Sequence, residues 1–165
     1  PRQGLLTLVS VLKQKGYIKI GLYSELGRAD ILEAKKLIKS KGIKATDEGI
    51  RYFRKLIFSQ KYTFIPSSIL DLGDFYTMSM CRDLCFHVQE HRFTLNQIKL
   101  LLSDTNLVFM GFHTSKHLQS LYKSEYPKDL LQLDIENWHQ LEKKSPLMFR
   151  SMYQFWAQPN IKETS

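Results

Sequence analysis

No stretch of this sequence stays apolar for long: no hydrophobic run exceeds five residues, whereas a membrane-spanning helix needs about 20. A secretory leader is missing as well, because no basic flank is followed by a continuous apolar core. Cysteine is scarce. Cys81 and Cys85 sit four apart in a helical pattern, where side chains share a face but a rigid helix opposes a disulfide. Two reduced thiols point to a reducing compartment, the cytoplasm, and to small apolar core positions. The eight glycines are scattered and form no G-x-G-x-x-G or near variant, which excludes a self-contained dinucleotide-type cradle. Internal repeats and low-complexity tracts are also absent. The first residue is Pro1 rather than methionine, so translation is not expected to begin here; a trimmed tag or an excised fragment would each give that start.

What is present is an ordinary globular composition. Of 165 residues, 43% are hydrophobic and 24% charged, enough for one domain with its own core. Lysine and arginine outnumber the acids by 24 to 16, a net charge of +8. Lys35, Lys36, Lys39, Lys41 and Lys44 crowd into ten residues. They spread around a helix and its following loop without the interleaved aromatics that stack on bases. They therefore read as a solvated face, and on that ground nucleic acid is not an expected partner.

Periodicity predicts helices joined to short strands. Leu5, Leu8, Val9 and Leu12 line a helix over 4–15, with Gly16 placed for a left-handed cap. Ile18, Ile20 and Leu22 alternate as in a strand. Amphipathic helices follow over 28–40 and 46–59, separated by Gly42. Thr46 or Asp47 caps the second, and Ile50, Phe53 and Ile57 form its stripe. Residues 60–73 read as loop, and a helix from Ser79 carries Cys81, Leu84, Cys85 and Val88. Thr94 caps a helix leading into the strand LVFMGF. A helix over 118–122, another capped by Asp134, and a strand over 152–158 complete the pattern, with a polar tail expected to fray. Helix, brief turn and strand occur twice, which implies an α/β fold with a parallel element in its sheet.

His87-Val88-Gln89-Glu90-His91 has the H-x-x-E-H order of one class of zinc peptidases. On a helix, His87 and His91 would lie one turn apart with Glu90 beside them to activate a water. No third ligand in recognisable context follows, so no metal is expected. The histidines read instead as half-buried groups at the border of the cysteine stripe, able to act across a cleft.

Taken in order, GLLTLVSVLKQKGYIKIGLYSELGR resembles the helix and fifth strand of a class I S-adenosylmethionine-dependent methyltransferase. HRFTLNQIKLLLSDTNLVFMGF looks like the later helix and sixth strand, and MYQFWAQ like the closing seventh. CRDLCFHVQEHRFT and NWHQLEKKSPLMFRSMYQFW look like segments of a bacterial subgroup of these enzymes, often joined to tetratricopeptide repeats. The resemblance runs from Gly4 to Gln158. It implies one domain over 1–158, an incomplete Rossmann-like sheet of about three mixed strands, a helical cap inserted over 24–93, and a tail over 159–165. It also implies S-adenosylmethionine as cofactor of the complete enzyme. The donor loop of that fold follows its first strand, which would lie upstream of Pro1. No donor-binding residue is therefore assigned, and the chain is expected to be inactive alone, with no cofactor bound.

Ligands of open α/β sheets bind beyond the carboxyl ends of the strands. The strand at 18–24 delivers Tyr23, Ser24 and Glu25 to that rim, with Arg28 just after. More than eighty residues separate it from LVFMGF, too many for a plain crossover. The helices between are expected to cap the rim and to bring Tyr76, Arg82 and Glu90 there as further acceptor-binding groups. His87 and His91 are the candidate catalytic bases; the acceptor itself is unknown. Lacking a neighbour on one side, the strand at 18–24 presents an open edge through which copies of the chain could associate. Two other functions fit the sequence: a non-enzymatic module for an anionic partner, suggested by the +8 charge, and an H-x-x-E-H zinc hydrolase.

Overall fold

The computed structural model describes residues 1–59, 67–87 and 89–160. Among them are seven α-helices, α1 (Arg2–Ser10), α2 (Ala29–Ser40), α3 (Asp47–Phe58), α4 (Met78–Cys81), α5 (Leu95–Asp104), α6 (Lys116–Glu125) and α7 (Ile135–Lys144). Four strands accompany them: β1 (Ile18–Ser24), β2 (Arg92–Phe93), β3 (Leu107–Phe112) and β4 (Tyr153–Pro159). The fold is α/β with more helix than strand. It divides into two units, Pro1–Gly27 with His91–Ser165, and Arg28–Glu90.

The first unit holds the sheet, in the order β2-β1-β4-β3. β4 lies antiparallel to β1, from Ile18↔Ala157 to Leu22↔Tyr153, and antiparallel to β3. β1 and β3 consequently run the same way, and their carboxyl ends share one edge. β2 pairs in parallel with the end of β1, Tyr23↔Arg92 and Ser24↔Phe93. The sheet is thus mixed, with four strands instead of about three, because a two-residue strand carries no periodic signal. It also closes part of the edge expected to be open over 18–24. Within β1, the stretch Ile18–Leu22 has β4 on one side and no described strand on the other.

Alternation sends Ile20, Phe109, Tyr153, Phe155 and Ala157 into a core shared with Ile98, Leu102, Tyr122, Trp138 and Leu141. Each large side chain buried there contributes about 1.5–3 kcal/mol. α5 starts in a capping box, with Thr94 and Gln97 each accepting the other's backbone N–H. Asp134 caps α7 by accepting from the N–H groups of Glu136 and Asn137. β3 bulges between Phe109 and Gly111, and Gly111 takes φ 113°, a conformation open to glycine. The first helix stops at Ser10, short of the expected 15, and Gly16 is not a left-handed cap. A tight turn carries its N–H to the Lys13 carbonyl at 2.8 Å. A Cβ there would meet Leu12 and Lys13 atoms at 3.0 Å, so the glycine serves close approach. The predicted tail begins later than expected: Pro159 belongs to β4, and the Asn160 N–H donates to the Asn106 carbonyl. Residues 161–165 lie outside the described residues.

The second unit is helical and has its own core, built from Ile31, Leu37, Ile50, Phe53, Ile69, Phe75, Cys81 and Leu84 among others. Gly42 separates α2 from α3 at φ 60°, and Thr46 caps α3 by accepting from the Gly49 N–H. The loop expected over 60–73 lies partly outside the described residues. Its remainder forms short 3-10 turns at Ser67–Asp71 and Gly73–Tyr76. The helix expected from Ser79 to Val88 continues from α4 into a single π turn at Arg82–Phe86 and stops, with His87 extended at ψ 129°; Val88 lies outside the described residues. Cys81 and Cys85 are free and buried. A hydrogen bond from Cys85 lowers the Cys81 pKa, which burial opposes and Arg54 favours, while the same bond and burial raise that of Cys85.

Candidate functional site

The carboxyl end of β3 and the start of β4 border a pocket of about 490 Å³ in the sheet unit, lined by His113, Thr114, Ser115, Phe149, Met152 and Gln154 among others. Backbone pairing builds it. The His113 N–H donates to the Gln154 carbonyl at 2.7 Å, holding the end of β3 beside the start of β4. Ser115 then caps α6 by accepting from the Leu118 N–H at 3.3 Å. On the β1 side, Gly27 makes room: a Cβ there would stand 2.7 Å from the carbonyl oxygen of Phe149.

At the same edge lies a buried carboxylate. Glu142, Ser24 and Tyr153 are each 0% exposed. The Ser24 hydroxyl donates to Glu142 Oε1 at 2.6 Å, and the Gly27 N–H donates to the Ser24 Oγ at 2.8 Å. The Tyr153 hydroxyl lies 2.8 and 2.7 Å from the two carboxylate oxygens. Burial raises the Glu142 pKa and the two hydroxyl bonds oppose it, with a net rise. Burial and the neighbouring carboxylate raise that of Tyr153. Tyr153 also packs on Phe149, ring centroids 4.9 Å apart, so the network stands directly behind a pocket wall. Every oxygen in it has a partner, and it holds the rim in place.

Of the residues singled out from sequence, Tyr23 and Ser24 end β1 and Glu25 follows it. Tyr23 is half-buried and pairs with Arg92, Ser24 belongs to the buried network, and Glu25 is exposed with its N–H on the Phe93 carbonyl. The others, His91 apart, lie in the helical unit. Arg28 donates from Nε and Nη2 to the two oxygens of Glu90 at 2.6 and 2.9 Å, and Lys35 Nζ reaches Glu90 at 3.2 Å. Tyr76 is exposed and donates to the Leu70 carbonyl. Arg82 donates to Asp47 at 2.8 Å, and with exposed His87 it lines a second pocket, of about 530 Å³. His91 is exposed and belongs to the sheet unit.

The H-x-x-E-H segment is therefore not a helical pair of ligands. The π turn ends at Phe86, His87 is extended, and Glu90 and His91 lie outside regular structure. The Glu90 carboxylate is taken up by Arg28 and Lys35 instead of facing a water. No group of three or more His, Cys, Asp or Glu suited to a metal ion occurs among the described residues. Among the described residues, the turn after β1 does not fit S-adenosylmethionine, which the resemblance implies, as a glycine-rich cradle would. The turn after β1 has one glycine, Gly27, and the Phe149 backbone fills the space beside it.

Sequence reasoning overlooked His113, Thr114 and Ser115. The signal was available: they follow LVFMGF as Glu25 follows IKIGLYS, and the same rim argument applies to both. Glu142 and Gln154 gave none, since each is an ordinary polar residue in its own element. Chemically the pocket offers an imidazole, hydroxyls and a side-chain amide over an apolar wall of Met148, Phe149 and Met152. That set suits a small ligand bearing a hydroxyl or amine, with an imidazole able to take its proton. No protein-family model matches the chain, and no curated protein matches it.

Proposed function

We propose that the chain is the acceptor-binding portion of a class I S-adenosylmethionine-dependent methyltransferase, with the donor held by residues outside it and no methyl transfer by the chain alone. The observation that carries this reading is the pocket at the carboxyl end of β3, where open α/β sheets take their ligands. The three segments that resemble the fifth, sixth and seventh strands of that fold lie in one sheet, the last between the other two, which supports the same reading. Within it, the acceptor sits against His113 and Gln154, and His113 takes over the role of base first assigned to His87 and His91. Self-association through the stretch Ile18–Leu22 and a cytoplasmic location belong to the same reading.

The test uses the chain as it stands. A panel of small hydroxylated and amine ligands is screened by thermal shift against the wild type and His113→Ala. Ligands that stabilise the wild type but not the variant support the pocket; ligands that shift both equally remove it as the acceptor site. Calorimetry with S-adenosylmethionine checks the division of labour, since micromolar binding to this chain would overturn it.

A further inference from the structure

The sheet has a second face, on which several described residues of its longer strands are exposed. Opposite the core-facing Ile20, strand alternation places Tyr17, Lys19 and Gly21 on that face, and all three are exposed. Trp156, the direct cross-strand partner of Lys19, is 41% exposed, as is Val108, and Met110 is 39% exposed. Tyr17 is 56% exposed and stands diagonally from Trp156, a relation that spans roughly 7–8 Å. Gly21 carries no side chain, and the Met152 sulfur packs over it, 3.1 Å from where a Cβ would stand. None of the residues of β1, β3 or β4 is acidic, and exposed Lys13 and Lys15 occupy the turn leading into β1.

We infer that this face binds single-stranded nucleic acid. Aromatic rings on a flat sheet stack bases irrespective of sequence, and lysines beside them neutralise the backbone. The order Lys13, Lys15, Tyr17, Lys19 with Trp156 alongside interleaves charge and ring, which the lysines of 35–44 do not. A protein partner would place charged or apolar groups against the face without needing that interleaving. This inference is independent of the acceptor pocket, which lies at the edge of the sheet, and each can fail without the other.

The two tryptophans make the test direct. Trp138 is 1% exposed and stacked on Tyr122 at 4.1 Å, so emission that responds to solvent-borne ligands reports Trp156. Titration with an oligouridylate should quench that emission. With three lysines engaged, affinity should fall roughly 20-fold between 50 and 200 mM salt. Measured with a labelled oligonucleotide, Trp156→Ala and Tyr17→Ala should each weaken binding roughly 5- to 150-fold. Trp156→Phe should keep most of it, and far-UV circular dichroism should be unchanged in all three. Lys36→Glu and Lys39→Glu, exposed in the helical unit and not part of the face, should leave affinity within about twofold of wild type. Three results would overturn the inference: no quenching at low salt, equal weakening by the Lys36 and Lys39 variants, or competition by duplex of the same length as strong as by single strand. A change in sedimentation on Trp156→Ala without oligonucleotide binding would do so too, by making the face a protein interface.

Discussion

Arg28 and Glu90 are the first and last residues of the helical unit, and a two-pronged salt bridge joins them at 2.6 and 2.9 Å. Both side chains are largely buried, 7% and 5% exposed. The pair fastens together the two ends of a segment sixty-three residues long, so it acts as the clasp of that unit.

Removing one half of the clasp should therefore cost more than removing both. Arg28→Ala leaves the buried Glu90 carboxylate without its two-pronged partner, and a broken buried pair costs about 3–5 kcal/mol. Arg28→Ala/Glu90→Leu should recover part of that loss, and Arg28→Lys should fall between, since an ammonium cannot make the two-pronged contact. Urea unfolding monitored by circular dichroism measures all three. A double variant as unstable as the single would remove the clasp.

The same carboxylate sets an acid limb. Burial works against ionised Glu90, but Arg28 and Lys35 outweigh it and hold its pKa below the ordinary 4.5. Folding thus favours the ionised form. The stability this contributes is complete above pH 4.5 and is lost as pH falls through the lowered folded value. Glu90→Gln should flatten the unfolding midpoint across that window while lowering it at neutral pH.

Glu142 has the opposite sign. Its folded pKa is raised by burial against the hydroxyl bonds of Ser24 and Tyr153. The folded state therefore holds its proton longer, and stability declines as pH rises from 4.5 to the raised value and is level beyond. Glu142→Gln should abolish that decline. Glu142→Ala should instead destabilise by about 1–3 kcal/mol, because it strands two buried hydroxyls. Unfolding midpoints between pH 4 and 8 separate the variants; a wild-type slope unchanged in Glu142→Gln would exclude this carboxylate as its source.

How much of this could be read beforehand follows from the physics of each element. Alternating Ile18, Ile20 and Leu22 announced β1 because a half-buried strand exposes every second residue, and Thr94 announced α5 because an N-cap is chosen by local hydrogen bonding. β2 was invisible: Arg92 and Phe93 pair only because the end of β1 arrives beside them. The H-x-x-E-H segment, from which no metal was expected but which was placed on a helix, departs from that helix for a related reason. Its spacing implies ligand geometry only on a helix, and the π turn at Arg82–Phe86 ends the helix before it begins. The Ser24–Glu142–Tyr153 network joins residues far apart in sequence, and no local pattern marks such a meeting. His113 was legible, since it stands where a strand ends at the binding edge.

His139 carries a further pH signature. It is 6% exposed, and its Nδ1 has no hydrogen-bond partner among the described residues. Burial first, then the charge of Lys143, lowers its pKa below 6.5, with Glu136 opposing. The fold holds the ring neutral, so stability is complete above pH 6.5 and is lost as pH falls toward the lowered folded value. His139→Leu should erase that loss. The Glu142 decline runs against it in the overlapping window, so the wild type alone can look flat; the comparison needs the Glu142→Gln background.

Gly27 offers the sharpest steric prediction. Its N–H supports Ser24, and its missing Cβ lets the Phe149 backbone approach; a methyl there would lie 2.7 Å from the carbonyl oxygen and 2.9 Å from the carbonyl carbon. Those are backbone atoms, which cannot swing aside as a flexible side chain would. Gly27→Ala should therefore displace Phe149, a wall of the 490 Å³ pocket, and cost about 1–3 kcal/mol. Gly4→Ala is the control: a methyl at Gly4 meets nothing within 4 Å. It lies inside α1, where alanine should stabilise by up to about 1 kcal/mol. If the two substitutions shifted the thermal midpoint equally, the close approach at Gly27 would not be what shapes the rim. A Gly27→Ala protein that is destabilised yet keeps the His113-dependent ligand shift would show that the pocket tolerates movement of Phe149.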